Sequence, residues 1–403
     1  MTELASALGS RGWRVLVVCA QPSLSLRATA GHVPYRMEYK GTRIHRVPAW
    51  GAHRSGLVWR MVFAFTYTLL SALAAVWYRR EYDVIVLTTN PPILGFATRF
   101  VSFLVRRPYV HIIYDVYPET LAALEVLSPN SFAFWVWQRL FRGVLLGAAA
   151  NIVIGRDMEE VIRTKCGGRP CQIRLIPNWS DGQVVFPLNG HPNRFRAQHV
   201  PAGALLVQYS GRIGRIHNVE PLIDAAEILH DTKVLFQFIG DGARLQALQE
   251  SVRQRGLQNV QFLDYQPISD LAETLSAADI AVVCLASSST SLSVPSKAYG
   301  IMAAGRPILG LMERCSEIGR VIEENGCGVV LEDADGPKVA ETITTLLKDR
   351  KALNRMGQNG YKAFKENYTL VRAARSYDLL LRKIRNRSVA GVAVEVESER
   401  GGA

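Results

Sequence analysis

The sequence predicts an α/β fold built from two doubly wound, Rossmann-like domains with parallel sheets. Short apolar, β-branched runs alternate with helical patterns along almost the whole chain, which is typical of βαβ units. A length of 403 residues fits two domains of roughly 100 to 200 residues each. The alternation breaks between residues 178 and 203, where Pro, Gly, Asn and His are frequent, and this stretch predicts the linker.

The candidate strands form two groups, one on each side of the linker. The first group is 13–20, 83–88, 109–114, 151–154 and 172–176, and the second is 205–209, 234–239, 260–263, 279–284, 307–311 and 328–331. We therefore expect an N-terminal domain over residues 1–182 and a C-terminal domain over 183–369. Residues 388–403 are small and polar without periodicity, which predicts a disordered tail.

Basic residues are concentrated in the first domain. Residues 1–180 contain 21 Lys and Arg against 10 Asp and Glu, within a net charge of +12 for the whole chain. A basic half indicates an anionic partner, which could be nucleic acid, an acidic membrane surface or a phosphorylated lipid.

Cysteine usage argues against a metal site or a disulfide framework. The six cysteines, at positions 19, 166, 171, 284, 315 and 327, show no CxxC pair and no zinc-ligand spacing with histidine. A reducing cytoplasm fits this pattern best.

Two apolar segments of the basic half favour contact with a membrane. Residues 61–78 contain no charge and are flanked by Arg60, Arg79 and Arg80; as a helix they would be about 27 Å long, near the ~30 Å hydrocarbon thickness. Spanning would separate strands 13–20 and 83–88, which we place in one sheet, so we expect docking or, alternatively, a buried core helix. Residues 132–149 interleave aromatic side chains with Arg139 and Arg142, as interfacial helices do.

A strand, a turn and a helix open the second domain. The turn runs from Gly211 to Gly214 and carries Arg212 and Arg215. Glycines after a strand let a ligand approach the backbone, and arginine suits phosphate oxygens. A purely structural turn is the alternative, and the GxxG spacing differs from the GxGxxG of nicotinamide enzymes.

Two further loops are expected at the same edge of this sheet. Gly240, Asp241 and Gly242 follow the next strand, and Ser296 with Lys297 open a helix later in the domain. Because open α/β sheets bind ligands at the carboxyl ends of their strands, these loops predict a phosphate-binding edge.

The ordered set of these segments resembles the donor domain of family 4 glycosyltransferases, which are retaining enzymes of the GT-B fold. The matching segments are YSGRIG, IGDG, LSAADIAV, VPSK and AAGRP. In the first half, TTNPP (88–92), YDVYPE (114–119), GRDM (155–158) and IPNW (176–179) resemble the WbuB/WcaI-like branch, whose members act in surface-polysaccharide or O-antigen assembly.

The resemblance implies a function and its partners. A nucleoside diphosphate sugar would be the co-substrate, with no separate cofactor and no catalytic metal, and a polyprenyl-diphosphate-linked lipid or an oligosaccharide would be the acceptor. The protein would work in the cytoplasm, peripherally attached to the inner face of the plasma membrane, rather than on nucleic acid. The C-terminal domain would bind the donor, the N-terminal domain the acceptor, and a helix over 370–387 would cross back to the first domain.

Donor-site roles carry over with two departures. Arg212 stands where the family has a diphosphate-binding arginine, but His217 replaces the usual lysine five residues on. Arg215 or Lys297 would then have to supply the second cation. The family's usual pair of glutamates is also absent, since Leu292 and Gly300 occupy those positions.

Candidate acceptor-site residues come from the first domain. Asp115 follows a strand directly and is our candidate for orienting or deprotonating the acceptor hydroxyl, with Glu119 four residues on; a helix cap is the alternative for Asp115. By position in the matching motifs, Asn90, Arg156 and Asn178 would line the acceptor cleft. His111 is expected in the core, and Asp333 and Asp335, formally a DxD pair, are expected to cap a helix.

Other functions remain open at this level. Relatives have a strand and a Gly-rich loop before the segment that matches residues 2–8, so we expect the first strand of the N-terminal domain to be missing. That expectation leaves room for a non-catalytic sugar-nucleotide binder or an inactive truncated form. A sugar-nucleotide epimerase of the same fold is the other alternative.

Overall fold

The computed structural model describes residues 1–22, 33–51, 56–188, 190–214 and 216–400, without the side chains of Leu57 and of residues 388–400. The chain divides into two compact units. The first contains Met1–Glu119, Leu127–Ile176 and Val371–Ala403, and the second contains Thr120–Val126 and Pro177–Leu370. Each unit is an α/β structure around parallel strands, which confirms the predicted fold class.

The elements up to Leu175 belong almost entirely to the first unit. In chain order they are α1 (Thr2–Gly9), β1 (Leu16–Ala20), β2 (Arg36–Tyr39), β3 (Thr42–Val47), α2 (Leu57–Trp77), β4 (Ile85–Thr88), α3 (Leu94–Val105), β5 (Tyr109–Ile113), α4 (Glu119–Ala123), α5 (Phe132–Gly147), β6 (Ala150–Val153), α6 (Arg156–Lys165) and β7 (Ile173–Leu175).

The strands of the first unit form two sheets rather than the single predicted one. Strands β4, β5, β6 and β7 make a parallel sheet in that order, and β1, β3 and β2 make a second sheet in which β2 runs antiparallel. Among the described residues no strand joins the two sheets, so segments 13–20 and 83–88 are not sheet partners. The hairpin β2–β3 was not predicted because its residues are mostly charged or polar; positive φ at Lys40 and Gly41 suits its two-residue turn.

The core of the four-stranded sheet accepts two polar side chains. His111 on β5 is 1% exposed, which confirms its place in the core, and burial lowers its pKa to about 4. Asn151 on the adjacent strand β6 is fully buried and donates to the carbonyl oxygen of Leu145 at 2.8 Å.

The second unit contains one six-stranded parallel sheet. Its elements are α7 (Arg194–His199), β8 (Leu205–Ser210), α8 (Glu220–Ile228), β9 (Val234–Ile239), α9 (Leu245–Gln254), β10 (Val260–Leu263), α10 (Leu271–Ser276), β11 (Ile280–Cys284), α11 (Lys297–Ala303), β12 (Ile308–Leu311), α12 (Glu317–Asn325), β13 (Gly328–Leu331), α13 (Gly336–Lys348) and α14 (Arg350–Asn367). The strand order is β10-β9-β8-β11-β12-β13. The order reverses between β8 and β11, which is where doubly wound sheets open a crevice for ligands.

The last helix, α15 (Leu370–Arg400), corrects the prediction of a disordered tail from Ser388. The segment lacks proline and alternates Ala, Val and Glu with few glycines, so nothing in it stops a helix. The helix is grouped with the first unit from Val371 on. Asp378 on α15 accepts a hydrogen bond from the indole nitrogen of Trp13 at 2.7 Å.

A disulfide between Cys166 and Cys171 departs from the expectation that cysteine spacing indicates no disulfide framework. The two residues are five apart, between the end of α6 and β7. Gly167 and Gly168 both have positive φ, so the chain turns sharply enough to bring the two sulfurs together. A short turn of this kind has no signature in cysteine spacing.

We predict that Gly328→Ala destabilises the second unit whereas Gly300→Ala does not. A Cβ at Gly328 on β13 would collide with the carbonyl oxygen of Ile308 on β12, and overpacking costs at least about 1–3 kcal/mol. A Cβ at Gly300, inside α11, would make an ordinary 3.4 Å contact with Leu275 and gain helix propensity. Thermal unfolding midpoints of the two variants test this, and equal midpoints would contradict it.

Candidate functional site

Three loops of the second unit meet at the carboxyl edge of its sheet. Gly211 follows β8, the segment from Gly240 to Gly242 follows β9, and Lys297 lies beyond β11. Because β9, β8 and β11 are neighbours, the predicted donor residues on these loops are brought together. They lie beside the point where the strand order reverses.

Backbone packing between two of these loops requires glycine. Gly211 and Gly240 have φ of +131° and +132°, and a Cβ at Gly240 would collide with the carbonyl oxygen of Gly211. The same holds for Gly242 against the carbonyl oxygen of Ile213. The amide of Ile213 donates to the carbonyl oxygen of Asp241 at 2.9 Å, so the backbones of the two loops are held together in one surface.

Lys297 places an unpaired ammonium group against this surface. Its Nζ is shielded from solvent and has no hydrogen-bond partner among the described residues. It lies 3.7 Å from the ring centroid of Tyr209 and 3.2 Å from where a Cβ of Gly211 would be. Desolvation lowers the pKa of this lysine to about 8, so the ammonium is held at a cost that Tyr209 offsets only in part.

His217 is not a second cation. Its Nδ1 accepts a hydrogen bond from the amide of Gly214 at 3.2 Å, which requires that nitrogen to be unprotonated. Burial, and then the charges of Lys297 and Arg212, lower its pKa to about 4. His217 therefore holds the glycine turn in shape as a neutral side chain, and the lysine it replaces is not compensated at this position.

The remaining donor-site predictions have mixed outcomes. Arg212 is exposed, and its carbonyl oxygen accepts from the hydroxyl of Tyr209 at 2.8 Å, which anchors the start of the turn. Ser296 is the N-cap residue of α11 but its side chain makes no capping hydrogen bond. Arg215 lies outside the described residues. The sequence analysis did not predict a role for Tyr209 at this site, because an aromatic residue near the end of a buried strand is usually part of the hydrophobic core.

Asp115, in the first unit, lies just beyond the carboxyl end of β5. Its carboxylate receives no hydrogen bond from the described residues, and burial raises its pKa to about 6. The amides of Asp115 and Tyr114 both donate to the hydroxyl oxygen of Thr89 at 3.2 Å. Thr89 thus joins the TTNPP and YDVYPE segments, a positioning role that no sequence signal revealed.

Glu119 differs from its predicted role. Its carboxylate binds Nζ of Lys165 at 2.6 and 2.7 Å and accepts from the amide of Gln138 at 3.0 Å. The lysine side chain is only 9% exposed. These contacts occupy the carboxylate, so Glu119 has a structural role that ties the start of α4 to the end of α6.

The three predicted acceptor-cleft residues fall in two units. Asn90 is exposed just beyond β4, and Arg156 begins α6 just beyond β6. With Asp115 they lie at the carboxyl edge of one sheet. Asn178 is 8% exposed and belongs to the second unit.

Helices α2, α3 and α5 carry an apolar surface, here called the apolar helix face, that is open to solvent. Its exposed side chains on α2 recur every fourth residue and therefore share one side; they are Met61, Phe65, Leu69, Leu73 and Trp77. Helix α3 packs against α2 and α5. The other exposed members are Phe100, Phe103, Leu104, Phe132, Trp135 and Leu140. The three helices contain four arginines and no acidic residue.

Helix α2 is also long and apolar enough, over Val58–Trp77, to cross a membrane by length and composition. Only 17% of the most apolar stretch of α2 is buried. Helix α2 is therefore not the buried core helix that the sequence left as the alternative. Its other side is fixed to the unit, since the hydroxyl of Tyr67 donates to the carbonyl oxygen of Val18 on β1 at 3.2 Å.

Carboxylates offer no metal site in the described part of the chain. No group of three or more His, Cys, Asp or Glu residues there could hold a metal ion. Asp335 is the N-cap of α13 and accepts from the amide of Lys338 at 2.9 Å, which confirms the predicted helix cap for this residue of the DxD pair.

Two family models match the chain. Residues 1–179 match the glycosyl transferase 4-like domain, and residues 192–363 match glycosyl transferases group 1. The chain is 32% identical over 249 residues to the probable glycosyltransferase WbjE of Pseudomonas aeruginosa, covering 62% of each protein. It is 30% identical over 151 residues to the putative colanic acid biosynthesis glycosyl transferase WcaI of Escherichia coli K12, covering 37% of each.

A solved structure extends the comparison to the fold. HepE of Anabaena, crystallised in complex with UDP, superposes with a TM-score of 0.70 at 17% identity over 94% of this chain and 96% of HepE. This likeness confirms the predicted GT-B fold. The matched segments span less than two thirds of either curated relative. Together the two models cover both units, and the chain belongs to the glycosyltransferases that combine a 4-like N-terminal domain with a group 1 domain, in the branch of WbjE and WcaI.

Proposed function

We propose that this chain transfers a sugar from a nucleoside diphosphate to a lipid-linked or oligosaccharide acceptor in surface-polysaccharide assembly. Transfer would retain the anomeric configuration and need no metal ion. The name of WcaI, which refers to colanic acid biosynthesis, and the UDP complex of HepE support the pathway and the donor class. The observation in this chain that carries the proposal is the unpaired ammonium of Lys297 at the edge of the donor sheet.

The diphosphate of the donor is the group that fits this ammonium. Its negative oxygens would accept the hydrogen bonds that Lys297 lacks, and a charge-assisted hydrogen bond contributes about 1.5–3 kcal/mol. The glycine surface of Gly211 and Gly240 lets the phosphates reach the backbone. Arg212 is exposed at the same turn and supplies a second cation, so two side chains would stabilise the leaving group without a metal.

Asp115 is the proposed group that orients or deprotonates the acceptor hydroxyl. A general base works best with a pKa near the operating pH, and burial moves this carboxyl group to about 6. Because its oxygens have no partner among the described residues, they remain open to an incoming hydroxyl. Thr89 fixes the backbone of Asp115 and so its direction.

The apolar helix face is the proposed attachment to the membrane. An exposed apolar surface of this extent marks an interaction site in a soluble protein. Four arginines without an acidic residue complement anionic lipid headgroups. Helix α2 would lie in the plane of the bilayer, because its other side is bound to β1. Attachment at the cytoplasmic surface would bring the first unit to lipid-linked acceptors.

We expect Lys297→Met to weaken donor binding by roughly 10- to 100-fold without unfolding the protein. Burial lowers the pKa of Lys297 to about 8, so the charged side chain destabilises the free protein by about 1.4 kcal/mol for each unit of the shift. Removing this cation should therefore raise the midpoint of thermal unfolding of the free protein. Binding of UDP-, GDP- and dTDP-linked sugars is measured by calorimetry, with Lys362→Met, an exposed lysine on α14, as the matched control. Unchanged donor affinity in Lys297→Met would refute the proposed site.

Asp115→Asn should lower the transfer rate by roughly 10² to 10⁴ fold while leaving donor affinity unchanged. In the wild type, kcat/KM should rise with pH through about 6, the pKa of the carboxyl group, because only the ionised form accepts a proton. The readout is product formation at several pH values, with and without EDTA. A variant that keeps the wild-type rate and pH profile would exclude Asp115, and isomerised donor without acceptor would indicate an epimerase.

Binding to vesicles that contain phosphatidylglycerol should require the apolar helix face. We expect Phe65→Glu with Leu69→Glu to reduce vesicle co-sedimentation at least about tenfold, because both residues are about half exposed or more and would place charge in the apolar layer. Ile268→Glu, an exposed apolar residue of the second unit, is the control. Equal sedimentation of both proteins would argue against the face.

A further inference from the structure

A polar cavity lies in the second unit, at the end of the sheet opposite to the donor loops. Asp279 directly precedes β11 and Arg306 lies two residues before β12, so the cavity opens at the amino ends of these strands. Its volume is about 300 Å³. The polar side chains that line it are His191, Asn193, Arg196, Ser276, Asp279 and Arg306.

The carboxylate in this cavity already accepts three hydrogen bonds. Asp279 accepts hydrogen bonds from Arg196 at 3.0 Å, from Arg350 at 2.8 Å and from the amide of Leu206 at 2.8 Å. The guanidinium of Arg196 also donates to the carbonyl oxygens of Ala277 and Ala204. These bonds connect Asp279, Arg196 and Arg350 into one network.

Arg306 is the cation that this network leaves out. Its Nε is buried without a hydrogen-bond partner, and among the described residues its guanidinium finds no acceptor. Desolvation lowers its pKa, with the charge of Asp279 acting in the opposite direction. A desolvated charge without a partner is costly, and arginine cannot lose its proton under physiological conditions.

We propose that this cavity is a binding site for a small phosphate-bearing anion, with Arg306 as its main hydrogen-bond donor. A planar guanidinium presents paired donors that match phosphate oxygens. Three arginines face one carboxylate, so the site keeps a net positive charge. The volume is at the lower limit of ligand sites, which favours a phosphate with a small body over a nucleotide sugar.

The site is separate from the donor edge, although one helix connects them. Helix α11 begins at Lys297 and ends at Ala303, three residues before Arg306. Phosphate would therefore bind to the same unit as the donor without competing for its loops. This proposal does not depend on the glycosyl-transfer reaction.

Thermal shift with inorganic phosphate in the Lys297→Met background tests the site, since that variant removes the donor-site ammonium. Sodium phosphate is compared with sodium chloride at equal ionic strength, and we expect a midpoint increase of about 2–4 °C. Adding Arg306→Gln should abolish the increase, whereas adding Arg355→Gln, an exposed arginine on α14, should preserve it. Citrate in place of phosphate separates phosphate recognition from general anion binding.

Folding of the Arg306→Gln protein is checked in the absence of phosphate. Because the substitution removes an unpaired buried charge, we expect its midpoint to be equal to or higher than that of the parent. The proposal is overturned if Lys297→Met shows no phosphate response, if citrate produces an equal one, or if the response survives Arg306→Gln.

Discussion

The candidate donor site depends on one uncompensated charge: the ammonium of Lys297, enclosed at the carboxyl edge of a parallel sheet without an acceptor among the described residues. The topology explains its position, because β8 and β11 are neighbours whose connections leave on opposite sides. Gly211, which lies next to this ammonium, has no side chain that could pair with it. The unpaired ammonium lowers the stability of the free protein, and a bound diphosphate would compensate its charge. Such a loss of stability is expected at a site that is built for binding.

Much of the fold could be predicted from the sequence because its signals are local. Each strand of the second unit appears within about one residue of its predicted position, since buried parallel strands are short, continuous apolar runs. The glycine loops could also be predicted from the sequence. Gly240 and Gly242 are required there, because a Cβ at either position would collide with the backbone of the neighbouring loop. The hairpin β2–β3 was missed because its strands are mostly charged or polar. The sheet partners of segment 13–20 depend on tertiary contacts that periodicity does not encode.

The chemistry of the candidate site was less predictable, because it depends on which charges meet. Glu119 had the residue type of a catalytic acid, yet Lys165, 46 positions away in the chain, occupies its carboxylate. His217 stood at a cation position, but burial and two neighbouring positive charges keep it neutral. Conversely, Asp115 retains an open, partly desolvated carboxyl group. The roles of these residues depend on how deeply each side chain is buried and on which charged side chains from distant segments contact it. Neither can be deduced from the spacing of residues in the sequence.

The most direct measurement is the pKa of the Lys297 ammonium, followed by NMR of ¹³C-labelled lysine and assigned with Lys297→Met. In the free protein the account predicts a pKa of about 8. With saturating inorganic pyrophosphate it predicts a rise towards the ordinary value for lysine, because the phosphate charge favours the protonated form. The same titration curve with and without bound pyrophosphate would contradict the account, since the diphosphate would then bind elsewhere.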